Sequence, residues 1–144
     1  MKSKVLHEAG DEQTFVLIFD QGDEVMSQLQ RFAQEHHLTA AHFTAIGALS
    51  DVVFAWFDWQ TKKYNNIPLR EQVEVLTLSG DISEEAGKPK IHAHLIVGKS
   101  DGTAHGGHLI EAHVRPTLEL ILTQTPVHLR RKVDPRSGVA LIQM

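Results

Sequence analysis

Two histidines, His92 and His94, stand one residue apart in the apolar run Lys90–Val97. Alternate residues of an extended strand share a face, so both imidazoles point the same way, with Cα atoms roughly 6.5–7 Å apart. Rings leaning together from that separation can reach one cation. His108 follows a glycine pair, Gly106-Gly107, where the returning chain can bring a third imidazole to the same point. Three histidines with an open fourth position form a catalytic zinc site. The chain has no cysteine, so thiolate sites and disulfides are excluded. Imidazole ligands suit zinc, iron, nickel and copper alike.

Other residues compete for these roles. His105 lies in a loop between Ala104 and Gly106, and its direction is unfixed. His113 points opposite to His108 on a regular strand, so its joining the same site needs a bulge. Glu111 and Glu119 are the carboxylates nearest the motifs. Either can orient an imidazole from behind, fixing its tautomer, or serve a zinc-bound water as general base. Glu119, set between Leu118 and Leu120, is the better-placed candidate for a catalytic carboxylate. Arg130, Arg131, Lys132 and Arg136 make the strongest basic cluster. Strand alternation splits it, which suits a solvated edge strand where charge discourages aggregation.

These residues need a scaffold. At 144 residues the chain is expected to be one domain, 1–144, with a proper core. Thr14–Phe19 reads as a strand. A long helix is expected over Asp23–His37, with Val25, Met26, Leu29, Phe32 and Ala33 on one face and Asp23 at the cap or first turn. Strands follow at Ala40–Leu49 and Val52–Trp59, with a turn at Ser50-Asp51 between them and another turn at Tyr64-Asn65-Asn66. Further strands are expected at Gln72–Ser79, Lys90–Val97, Leu109–Val114 and Thr117–Thr123, the last two flanking Arg115-Pro116. A loop is expected at Ser83–Lys88. His128–Val133 and Val139–Ile142 form a closing hairpin over Asp134–Gly138. The class is α+β, a mainly antiparallel sheet with helix on one side. Several strands are apolar on both faces, which points to a second subunit covering one of them.

Formal net charge is −4 with histidine neutral, against an overall nucleic-acid surface, since such affinity comes from cations on phosphates. No signal peptide or membrane span is legible, so a cytoplasmic location is the expectation.

The motifs together are specific. Ala45-Ile46-Gly47-Ala48-Leu49, Glu74–Gly80, the His92-Ala93-His94 strand, Asp101-Gly102 leading to Gly106-Gly107-His108-Leu109, and Pro116–Leu120 occur in that order. By them the chain resembles the PPC (plants and prokaryotes conserved) domain from about Thr14 to Val133. The resemblance implies a bent antiparallel sheet assembled as a homotrimer. Prokaryotic members are stand-alone domains labelled predicted DNA-binding proteins. The family's metal-site histidines carry over as His92, His94 and His108, which implies a divalent metal, with zinc the expected one. No Arg-Gly-Arg-Pro AT-hook of the plant proteins occurs here. Their partner-binding hexapeptide falls on Glu71–Leu76, with Gln72 where they carry arginine. Three functions follow: a trimeric metal-binding domain, a metal-dependent hydrolase or lyase acting on a small molecule, and a DNA-associated protein. A cupin also offers His-x-His on a strand, but its following glutamate is missing and the helix does not suit an all-β barrel.

Overall fold

A computed structural model describes residues 1–144. One antiparallel sheet of nine strands carries the fold: β1 (Lys2–Ala9), β2 (Glu12–Phe19), β3 (Ala40–Asp58), β4 (Lys63–Leu69), β5 (Val73–Glu85), β6 (Lys88–Gly98), β7 (Ala104–Gln124), β8 (Arg130–Val133) and β9 (Ala140–Gln143). Only the Glu84–Arg130 pairing of β5 with β8 is parallel. Strands β3, β5, β6 and β7 pair in a closed ring, β3 with β5, β5 with β6, β6 with β7 and β7 with β3. This closure brings β6 and the start of β7 side by side.

The single helix, α1 (Val25–Glu35), has 11 residues. It is shorter than the Asp23–His37 helix that the apolar periodicity predicts. Its cap is Glu24 rather than Asp23. The Glu24 carboxylate accepts from the backbone N–H of Met26 at 2.9 Å and of Ser27 at 2.7 Å, satisfying two of the donors that a helix start leaves free. Asp23 instead accepts from the N–H of Asp20 at 2.9 Å. Val25, Leu29, Phe32 and Ala33 are buried, which is the predicted face. They close one core with Phe15, Phe43 and Phe54 of the sheet. Truncating any of these phenylalanines to alanine costs about 3–5 kcal/mol.

Two expected breaks are bends inside long strands. Ser50-Asp51 lies within the 19-residue β3, and Arg115-Pro116 within the 21-residue β7. Opposite Ala48, β7 carries residues 115–117, because Gly47 pairs with Leu118 and Leu49 with Val114. Extra residues of this kind bend a strand without ending it. Tyr64-Asn65-Asn66 is strand, not turn. The chain reverses just before it, and Lys62 takes a positive φ of 56°. Strand β1 has no counterpart in the sequence reading. All eight of its residues are exposed, so no buried face marks it.

Candidate metal centre

Strand β6 points His92, His94 and Ile96 outward, while Ile91, Ala93, Leu95 and Val97 are buried. The third histidine arrives through register. β7 runs antiparallel to β6 with His94 opposite His108, Leu95 opposite Gly107 and Ile96 opposite Gly106. The glycine pair is needed for that approach. A Cβ on Gly106 would lie 2.6 Å from the Leu95 carbonyl oxygen, and one on Gly107 would lie 2.9 Å from that of Ala55. Side chains there would push β7 off both neighbours, and His108 with it.

The three histidines each offer a ring nitrogen within 4.8 Å of the others. Nε2 of His92 and Nε2 of His94 are 3.3 Å apart. Two nitrogens on one tetrahedral zinc at 2.0–2.1 Å are separated by about 3.3 Å, so this spacing fits the ion directly. Ring centroids are 5.1 Å apart for His92 and His108 and 5.4 Å for His94 and His108. Nδ1 of His108 is buried without a hydrogen-bond partner. Such an atom calls for an explanation, and a bound cation supplies one. The residues therefore fit a divalent metal.

Electrostatics favour the neutral, lone-pair form. Burial, then the neighbouring His92, His94 and Lys90, push the His108 imidazolium down to about 4. Burial, then His92, also lowers His94. Imidazoles that stay unprotonated at neutral pH are ready ligands.

Behind His92 lies a support that the sequence reading missed. Asp81, paired with His92 across β5 and β6, places Oδ2 3.7 Å from His92 Nδ1. Arg131 Nη2 donates to both Asp81 oxygens at 2.8 and 2.9 Å and lies 3.3 Å from the same Nδ1. Arg131 Nε donates to Ser83 Oγ at 2.7 Å, and Nη1 to the Ala140 carbonyl at 2.9 Å. A metal on His92 Nε2 requires the Nδ1–H tautomer; Asp81 Oδ2, 3.7 Å away, is the carboxylate on that side, and it accepts the proton once the Arg131 donor turns from Nδ1. Burial works to raise the Asp81 pKa, but hydrogen bonds from His92 and Arg131, and their charges, hold it below the usual carboxylate value. The Arg131 side chain is 7% exposed, so the expectation of a solvated basic edge fails at this residue. Arg130 pairs with Glu84 at 3.4 Å.

A cavity of about 530 Å³ adjoins the histidines. His92 and His108 lie on its wall, with Tyr64 stacked on the His108 ring at 4.8 Å between centroids. Sequence alone does not point to Tyr64, because Tyr64-Asn65-Asn66 has the composition of a turn.

The remaining candidates lie elsewhere. Glu119 sits eleven positions beyond His108 on β7, exposed, opposite Ile18 and Ile46. It is not among the cavity residues, so it does not meet the triad within one protomer. Glu111 lies 3.8 Å from His113 Nε2, not beside the three histidines. His105 is exposed opposite Val97. The bulge that His113 would need does exist, since Val53 and Phe54 pair with Glu111 and Leu109 around Ile110. It does not carry His113 to the triad. His113 Nδ1 is instead bound to Asp51 Oδ1 at 2.9 Å.

The family model of the Plants and Prokaryotes Conserved (PCC) domain matches residues 6–126. A metal-containing protein from Archaeoglobus fulgidus is 34% identical, with a TM-score of 0.84 and all of both chains covered. A candidate DNA-binding protein from Bacteroides thetaiotaomicron is 25% identical with a TM-score of 0.87, covering 98% of this chain and 96% of the other. Among curated proteins, 120 residues are 32% identical to the bifunctional protein GlmU of a Synechococcus strain. That match takes in 81% of this chain but spans only 18% of the relative's length.

Proposed function

The chain belongs to the Plants and Prokaryotes Conserved domain family, and we propose that it binds a divalent metal, zinc, through His92, His94 and His108. The observation that carries this reading is the convergence of three ring nitrogens within 4.8 Å, two of them 3.3 Å apart. The metal-containing Archaeoglobus relative, similar over its full length, supports it. Bound zinc supplies a Lewis acid and a water of lowered pKa. The chain's own part is to keep the His94 and His108 imidazoles neutral and, through Asp81, to hold the His92 tautomer that frees Nε2. Elemental analysis of the native protein and of His94→Ala tests the reading. About one metal per native chain and far less in the variant is expected; equal contents would overturn it.

The working form is a homotrimer. The count of three comes from the family resemblance, and exposed apolar residues on the outer sheet face support association. Ile46, Leu76, Ile96 and Ile121 are 43–62% exposed, and Ile96 shares the outward face of His92 and His94. Sedimentation velocity on the native protein and on Ile46→Asp tests this, with dissociation of the variant expected.

A metal-dependent hydrolase or lyase is a second reading, favoured by the cavity against two of the three ligands. The general-base role considered for Glu119 gains nothing from its position. DNA association enters through the Bacteroides relative's description. Arg130 and Arg131 are both paired with carboxylates, which leaves little of the basic cluster for phosphates. Gel-shift titration at two salt concentrations is its test, since phosphate-driven binding weakens steeply with salt.

A further inference from the structure

The cavity beside the histidines joins two imidazoles to a larger set of apolar side chains. Ten of its 16 lining residues are hydrophobic, contributed by the helix (Met26), the β3–β4 hairpin (Phe57) and the β8–β9 hairpin (Leu141), among others. The volume of about 530 Å³ lies within the range of small-molecule sites. Its walls offer no unpaired charge. Arg131 is held by Asp81 at 2.8 Å, and Lys90 Nζ lies 3.7 Å from Glu85. Beyond the metal itself, a nucleotide or other polyanion would find only cations already engaged by carboxylates. A wholly apolar ligand would leave the imidazole end, with its metal, unused.

We propose that this cavity binds a small monocarboxylate with an apolar body, its carboxylate on the metal and its tail beneath the β8–β9 hairpin. The proposal rests on the metal-binding reading, because only the ion supplies the charge that the walls lack. Two of the three ligand rings, His92 and His108, line the cavity, so a molecule held there lies against the metal. The third ligand, His94, is exposed and outside the lining, which leaves the apolar walls to the tail. Selection is then by one oxygen-donor head and by length and bulk, not by a pattern of hydrogen bonds.

The test titrates 3-phenylpropanoate calorimetrically into zinc-loaded protein, with metal content measured on the same sample. One site per chain is expected. Binding should weaken by at least about tenfold after chelation, and by at least about tenfold for 3-phenylpropan-1-ol, which keeps the body and loses the charge. In cobalt-loaded protein the carboxylate should alter the visible spectrum. Leu141→Trp and Ile110→Trp both fill the cavity from partly exposed positions. Each should weaken binding by at least about tenfold at unchanged metal content. Full metal content with no binding below about 10 mM, or equal binding of acid and alcohol, overturns the carboxylate proposal and leaves metal binding standing. Absence of metal from the loaded native protein overturns both.

Discussion

Two of the histidines on strand β7, His108 and His113, lie five residues apart in opposite electrostatic environments. His108 is packed against two other imidazoles, and burial with those neighbours drives its pKa down to about 4. His113 donates to Asp51 at 2.9 Å. That hydrogen bond raises its pKa against the lowering by burial, with the charges of Asp51, Glu111 and Glu24 adding to the rise. One environment favours the neutral lone-pair donor, the other favours the protonated ring beside a carboxylate. Spacing along the strand does not decide between them; the residues across the register do. His108 faces His94 on β6, and His113 faces Asp51 on β3.

Substituting each histidine in turn should break the comparison most sharply. His108→Ala should lose the bound metal on dialysis, whereas His113→Ala should keep about one equivalent, both read by elemental analysis. Equal loss from the two would mean that the two sites are not chemically distinct. Next in size is Asp81→Asn. It removes the carboxylate behind His92 and should weaken metal affinity by about 10–100-fold, measured by competition with a chromophoric chelator. It also strips the charge partner of Arg131, whose side chain is 7% exposed. Asp81 itself is 27% exposed, so water takes up part of the loss. A stability cost of about 2 kcal/mol is expected, below the 3–5 of a fully buried pair. Arg131→Met together with Asp81→Asn should recover part of that stability but not the metal affinity.

The triad was legible because its information is local. Parity puts His92 and His94 on one face, and a glycine pair announces a close strand approach. The support behind it was not. Asp81 reaches His92 through the β5–β6 register, and Arg131 arrives from a hairpin 39 residues beyond His92. Neither leaves a pattern in its own segment. The same limit governs the strands. Apolar runs marked β2 and β6 and alternation marked β5, but the wholly exposed β1 had neither to show. Ser50-Asp51 and Arg115-Pro116 carry turn-type residues, yet pairing between the long strands absorbs them as bulges.

Acid separates the two histidines by sign. For metal-free protein, His108 binds its proton near 6.5 when unfolded and near 4 when folded. Between those values the unfolded state holds more protons, so stability falls as pH falls. The contribution is complete above about 6.5 and is lost on the way down to about 4. The partial burial of the ring limits the effect to on the order of 2 kcal/mol. Urea unfolding of the chelated protein across that window should show the decline. In His108→Gln the curve should be flatter. An unchanged slope would mean that this imidazole is not held neutral by the fold.

His113 should give the reverse dependence and the smallest effect. Its folded pKa is raised, so its contribution is complete below the unfolded value and lost as pH rises through the folded one. Asp51 supplies the other limit. Burial works to raise its pKa, but hydrogen bonds from His113 and Ser50 hold it below the usual carboxylate value. The contribution of the pair therefore also disappears as pH falls through the depressed Asp51 pKa. Both side chains are more than a third exposed, so the pair is worth only about 0.2–1 kcal/mol. Asp51→Asn should cost that much near pH 6 and almost nothing near pH 9. Histidine NMR titration gives the more sensitive reading: the His113 midpoint should drop in Asp51→Asn while His108 stays where it was. Movement of both midpoints together would join the two regions that the register keeps apart.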